Sequence, residues 1–137
     1  MYLDFGAMKP PEIYLTLTQT VIPRPVAWVL SENLDGGSNL APFSFFNALC
    51  SNPPLIMISV GRRQDGSLKD TQANIEARRE FVVHIGHWEQ LDSLNESSAT
   101  LPSGESETQR LGLETVCFEQ FRLPRLVDAR VAFACSR

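Results

Sequence analysis

Apolar residues in this chain come in short runs, and each run meets a Pro, Gly or Asn turn signal at about the length of a strand. That punctuation suits a β-rich domain. Residues 26–31 (VAWVLS) form a compact β-branched and aromatic run, entered through Pro23 and Pro25. Those prolines suit the start or edge of a strand and not its middle. Asp35-Gly36-Gly37 reads as a hairpin turn, because glycine takes positive φ without steric cost. Residues 38–46 return, so 26–46 are expected as one antiparallel hairpin. Pro42 in its second arm implies a bulge, an edge or an early departure from the ladder.

Asn52-Pro53-Pro54 is a stop, and residues 55–61 (LIMISVG) follow as an almost continuously apolar strand, expected to be covered on both faces. Asp65-Gly66 marks another turn. Asp70 or Thr71 is positioned to cap a helix running to about Arg79, where Arg78 and Arg79 suit the negative end of its dipole. Residues 81–85 (FVVHI) are the next strand, 88–97 a short helix, and 99–109, with Pro102 and Gly104, a loop. Two further strands are expected at 114–121 and 129–134. The order predicts a mainly β protein with short helices. An antiparallel barrel or sandwich fits better than a doubly wound sheet, which needs regular βα alternation.

With 137 residues, the chain is expected to form one domain over 1–137. A net charge of −4 argues against nucleic acid or an anionic membrane as partner. No run of 18 apolar residues exists, which argues against a membrane helix, and residues 1–11 lack the pattern of a signal peptide. Cys50, Cys117 and Cys135 are an odd set without a C-x-x-C pair, which points to reduced thiols and a cytoplasmic setting.

Two stretches carry candidate chemistry. In residues 39–54 (NLAPFSFFNALCSNPP), Ser44, Asn47, Cys50 and Ser51 interrupt a hydrophobic segment, and Ala41 and Ala48 would let a flat ligand approach the backbone. The pattern alone favours a core strand ending in a Ser/Thr-type turn before Pro53. In residues 67–74 (SLKDTQAN), a helix N-terminus offers unpaired amides and a positive dipole end, with Lys69 adding a charge and Thr71 a hydroxyl donor. An ordinary cap beside a solvated lysine is the alternative.

In combination these motifs resemble a family. Pro23-Arg24-Pro25-Val26-Ala27-Trp28-Val29, NLAPFSFFNAL at 39–49, NPP at 52–54, KDTxxNI at 69–75 and FVV at 81–83 are similar, in that order, to flavin reductase-like proteins. These include flavoredoxins and the NAD(P)H:flavin oxidoreductases that feed monooxygenases. The resemblance implies a split β-barrel homodimer with FMN near the subunit interface and NADH or NADPH as electron donor. Carried over by position, Ala41, Pro42, Phe43 and Ser44 would border the isoalloxazine ring, and Asn47, Ala48, Cys50 and Ser51 would follow the ribityl chain and phosphate. Lys69, Asp70, Thr71 and Asn74 would complete the phosphate grip, with Arg24 facing the same pocket. The segment 44–51 and the helix after Lys69 are therefore expected to converge. Cys50 stands where the family commonly has serine, and Asn52 where it commonly has aspartate. Similar proteins run some tens of residues further, so the resemblance implies a barrel without its final strands.

The function implied is hydride transfer from nicotinamide to flavin N5, with a monooxygenase or another protein as acceptor. No catalytic side chain is needed, because the cofactor carries the chemistry. The alternatives are a flavoredoxin-type electron carrier and a β-barrel interaction domain that has lost its cofactor. His84, His87 and Glu89 lack the spacing of a zinc site. A Cys50–His84 nucleophilic pair has no orienting third residue, and His84 is instead a candidate for the flavin pocket. Arg62-Arg63 reads as a solvated turn, with attraction of a nicotinamide phosphate as the alternative.

Overall fold

The computed structural model describes residues 2–99, 101–102 and 105–137. Its strands are β1 (Ala27–Glu32), β2 (Ser38–Phe43), β3 (Phe46–Ser51), β4 (Pro54–Ile58), β5 (Glu80–Ile85), β6 (Thr115–Phe118), β7 (Phe121–Leu126) and β8 (Val131–Ser136). Its helices are α1 (Pro10–Thr20), α2 (Asp70–Arg78), α3 (Leu91–Glu96) and α4 (Glu107–Arg110). An antiparallel four-stranded sheet in the order β2-β1-β5-β8 is joined by two hairpins, β3–β4 and β6–β7. The protein is mainly β, and no closed barrel forms among the described residues. None of the described helices is long and apolar enough to cross a membrane.

The period of two along β1 and β5 gives the central sheet a buried cluster on each face. Trp28, Leu30, Leu40 and Val82 pack with Leu123 and Leu126 of β7. Ala27, Val29, Phe43, Phe81 and Val83 pack with Ile56 and Ile58 of β4 and Ile75 of α2. The two hairpins and α2 thus cover both faces. Only short, strongly apolar strands can occupy the middle of such a stack.

The expected first hairpin forms, with Ala27 opposite Phe43 and Glu32 opposite Ser38, and Gly36 and Gly37 take positive φ in its turn. Its second arm ends at Phe43, not at residue 46, because the chain bends at Ser44-Phe45 and begins β3. Pro42 sits on the sheet's edge strand, where its missing N–H removes no central ladder bond. The expectation that residues 55–61 are covered on both faces is overturned: Leu55 and Met57 are 48% and 47% exposed. Their hairpin has only two strands, so one face alone turns inward.

The α2 cap is Lys69, not Asp70 or Thr71. Asp70 is engaged by Arg63, and Thr71 is buried against Asn39. Residues 114–121, read as one strand, are split into β6 and β7 by a turn in which Glu119 takes φ 45°. The region read as loop at 99–109 contains the start of α4, while Thr100, Ser103 and Gly104 lie outside the described residues. Helix α1 has no counterpart in the sequence reading. Its proline-led first turn and the Glu12 carboxylate accepting from Lys9 N–H at 2.7 Å start it despite its Thr-rich composition.

Candidate functional site

The loop before α2 is shaped locally. Asp65 Oδ1 accepts from the Ser67 amide at 2.9 Å and from its hydroxyl at 2.6 Å, and Gly66 supplies a φ of 85°. This turn delivers Lys69 to the cap of α2. The helix's own ladder begins with Ala73 N–H donating to Lys69 C=O. The amides of Asp70, Thr71 and Gln72 are therefore left for partners outside the helix. Thr71 is buried, and its Oγ1 accepts from Asn39 Nδ2 at 2.8 Å, which leaves the hydroxyl hydrogen for another acceptor. Arg63 Nη2 lies 2.6 Å from Asp70 Oδ2 and offsets that carboxylate. The Lys69 ammonium stands 5.7 Å from the Phe43 ring centroid.

Helix α2 meets the sheet at β1 and β2. Between its N-terminus and β2 lies a cavity of about 270 Å³. Asn39, Ala41, Pro42 and Phe43 form one wall, and Arg63, Lys69, Asp70 and Thr71 form the other. Tyr14 of α1, Ser97, Ser98, Ala99, Leu101 and Glu107 complete it. Glu107 is buried, and its Oε2 accepts from Leu40 N–H at 2.9 Å. Burial pushes its pKa above the ordinary carboxylate range against the pull of that hydrogen bond, and the Asp70 charge adds to the rise. A ring of hydroxyls formed by Ser38, Ser106 and Thr108, at 2.7–3.0 Å, fastens α4 to β2 beside it.

Of the residues singled out in the sequence, the structure brings Ala41, Pro42, Phe43, Lys69, Asp70 and Thr71 to this one cavity. Asn74 lies beneath it and donates to Ser31 Oγ and Asn33 Oδ1 at 3.1 and 2.9 Å. Arg24, Ser44 and Asn47 line a second cavity of about 430 Å³ with Phe45 and Met57. The Tyr14 and Phe45 rings, with centroids 5.8 Å apart, join α1 to the bend between β2 and β3. Arg24 Nη1 donates to Thr18 and Val21 carbonyls at 2.8 and 2.6 Å and so closes the end of α1. Its buried Nε has no partner among the described residues. Ala48, Cys50 and Ser51 are exposed on β3, with Cys50 Sγ donating to Pro53 C=O. Helix α2 thus meets the Asn39–Phe43 half of the long motif, while Ser44–Ser51 turns away along β3.

His84 is not in the pocket. It is fully buried on the other face, with Nδ1 3.1 Å from Trp28 C=O and Nε2 3.1 Å from Leu126 N–H. Both ring nitrogens are occupied, which removes it as a base for Cys50. His87 is held by Glu89 and Asp128 C=O. Among the described residues no three His, Cys, Asp or Glu side chains group as metal ligands would.

Sequence reasoning missed the roles of Glu107, Tyr14, Ser97, Ser98, Ala99 and Leu101. Glu107 and Leu40 are 67 positions apart, so no local pattern connects them. Asn39 opened the long motif, but nothing in the motif showed that it would hold Thr71.

The antiparallel sheet with its separate hairpins is the split-barrel arrangement. A split-barrel flavin reductase of Shewanella frigidimarina superposes with a TM-score of 0.81 at 18% identity, over 99% of this chain and 68% of that one. The crystal structure of nitrilotriacetate monooxygenase component B from Bacillus cereus superposes with a TM-score of 0.93 at 37% identity, over 99% and 67%. An uncharacterized protein of Halalkalibacterium halodurans is 42% identical over 99% of this chain and 65% of its own. Residues 19–136 match the flavin reductase like domain. The chain belongs to the flavin reductase-like family. It spans less than two thirds of the length of the curated relatives it matches, between 61% and 65% for four of them.

Proposed function

We propose that the chain binds FMN, with the phosphate at the N-terminus of α2, and serves in NAD(P)H-dependent flavin reduction. The observation that carries this reading is the donor set at one end of the cavity. It comprises the first-turn amides of α2, the Lys69 ammonium, the Thr71 hydroxyl aligned by Asn39, and Arg63. A doubly charged phosphoryl group matches this set, since helix dipole, full charge and directed hydroxyl all favour it. The Asp70 carboxylate opposes it least because Arg63 already offsets the charge.

Bound there, the flavin would supply the redox chemistry, as an acceptor of hydride from a nicotinamide donor. The chain's residues bind and orient. Ala41 offers little side-chain bulk where the ligand runs along β2, and Pro42 and Phe43 add an apolar surface at the edge of the sheet. Similarity to a monooxygenase component supports delivery of electrons to a separate oxygenase or another protein acceptor. The exposed apolar side chains of Leu49, Leu55 and Met57 on the β3–β4 hairpin support association with a second copy.

The test is a titration with FMN and riboflavin, followed by flavin fluorescence and melting temperature. FMN raises the melting temperature. Lys69→Ala weakens FMN about tenfold or more and riboflavin little, because only FMN carries the phosphate that the ammonium contacts. Thr71→Ala acts in the same direction, less strongly. A folded sample that binds no FMN sinks the proposal. Equal losses for both ligands place Lys69 and Thr71 away from the phosphate.

A further inference from the structure

The wall of the cavity contributed by Glu107 is chemically at odds with a pocket meant only for phosphate. Glu107 is 7% exposed yet lines the same cavity as Lys69 and Thr71. A buried carboxylate is costly to desolvate, and beside a bound phosphate it is repulsive as well. Capping the outer edge of β2 through Leu40 N–H does not require a charge, because a glutamine carbonyl would accept the same bond. An ionised carboxylate has about four acceptor positions, and Leu40 fills one. The Glu107 side of the cavity therefore suits a hydrogen-bond donor on the ligand, and the Lys69 side suits the anion. A chain of hydroxyl groups that ends in a phosphate has this polarity.

We infer that Glu107 is a ligand-contacting residue whose carboxylate accepts a hydrogen bond from a hydroxyl of the ligand's polyol chain, next to the phosphate held by Lys69 and Thr71. The inference rests on the flavin reading and names a contact within it.

The experiment compares riboflavin with lumiflavin, which has the same ring without the polyol, on the whole chain and on Glu107→Gln. Neither probe carries a phosphate, so relief of charge repulsion does not mask the effect. The unsubstituted chain binds riboflavin more tightly than lumiflavin. In Glu107→Gln, which keeps an acceptor for Leu40, riboflavin weakens about fivefold as a charge-assisted bond becomes a neutral one, and lumiflavin is unchanged. A purely structural role for Glu107 lowers both ligands together and overturns the inference. Where the variant does not fold, the unsubstituted chain decides, by comparing riboflavin with a flavin whose side chain has the same length but no hydroxyls. Equal affinities for those two overturn the inference. FMN titration of the unsubstituted chain separates the two levels: FMN bound with no preference for the polyol removes Glu107 alone, whereas no flavin bound at all removes the flavin reading with it.

Discussion

Lowering the pH should destabilise this protein through one side chain, His84. Its ring is wholly buried between β1 and β7, with Nδ1 donating to Trp28 C=O and Nε2 accepting from Leu126 N–H. That pair of contacts defines the neutral tautomer carrying its proton on Nδ1. A second proton would set a ring N–H against the Leu126 N–H in a site closed to water. Burial lowers the pKa from 6.5 to about 4, while the Trp28 carbonyl pulls the other way and Arg125 adds repulsion. The unfolded chain still takes up the proton near 6.5, so stability from neutral His84 is complete above that pH and is lost as pH falls toward 4. The difference of about 2.5 pKa units corresponds to about 3 kcal/mol in full, of which about 2 kcal/mol is lost by pH 5. That is a large share of a typical domain's stability. The assay is urea unfolding at about pH 8 and pH 5, on the native sequence and on His84→Gln. The glutamine variant is less stable at both values but has no proton to gain, so its loss on acidification is smaller by about 2 kcal/mol. Equal losses in the two proteins would refute the argument. So would an NMR titration in which the His84 ring protonates near its ordinary value, and that measurement stands even if the variant fails to fold.

Two further outcomes follow from buried and surface polar contacts. Trp28 Nε1 donates to Ser97 Oγ at 2.9 Å in the core, so Ser97→Ala orphans a buried donor and costs about 1–3 kcal/mol by chemical denaturation; a change under about 0.5 kcal/mol would mean that another acceptor takes over. Arg122 bridges Glu32 of β1 and Glu80 of β5 at 2.6 and 2.7 Å, with all three side chains a third to a half exposed. Arg122→Ala costs about 0.5–1 kcal/mol at low salt and less in molar salt, and a loss indifferent to salt would point to packing and not charge.

The strands legible in the sequence were those whose signal is local. Residues 26–31 and 81–85 are apolar runs broken only by Ser31 and His84, and both became central strands, β1 and β5 being the strands paired on two sides among the described residues. The Asp35-Gly36-Gly37 turn was legible because positive φ is a property of single residues. What failed to show was set by neighbours distant in sequence. The run at 55–61 has the composition of a doubly covered strand, but its hairpin was placed with one face outward, and composition does not report placement. Helix α1 was hidden by threonines whose side chains bond back to carbonyls within the helix, as Thr16 does to Glu12 at 2.8 Å. At the site, Lys69 and Thr71 were legible from a cap pattern, whereas Asn39, Glu107 and Tyr14 were not, since each acts on residues tens of positions away.

The same distinction explains why the site stands at the edge of the sheet. A central strand has its backbone N–H groups engaged by neighbours on both sides, so it has no amide to spare for a side chain from elsewhere. β2 is an edge strand, and its outward Leu40 amide would be an open invitation to another strand. Here it is satisfied by the Glu107 carboxylate, and the Ser38 hydroxyl is tied to Ser106 and Thr108. Protecting the edge in this way brings a polar segment across β2 opposite the N-terminus of α2, whose amides are unpaired for a separate reason, the geometry of helix starts. A cavity with donors on one side and an acceptor on the other follows from these two requirements together. Removing the cover should therefore damage edge protection and ligand binding at once, which ties the stability of β2 to the chemistry of the pocket.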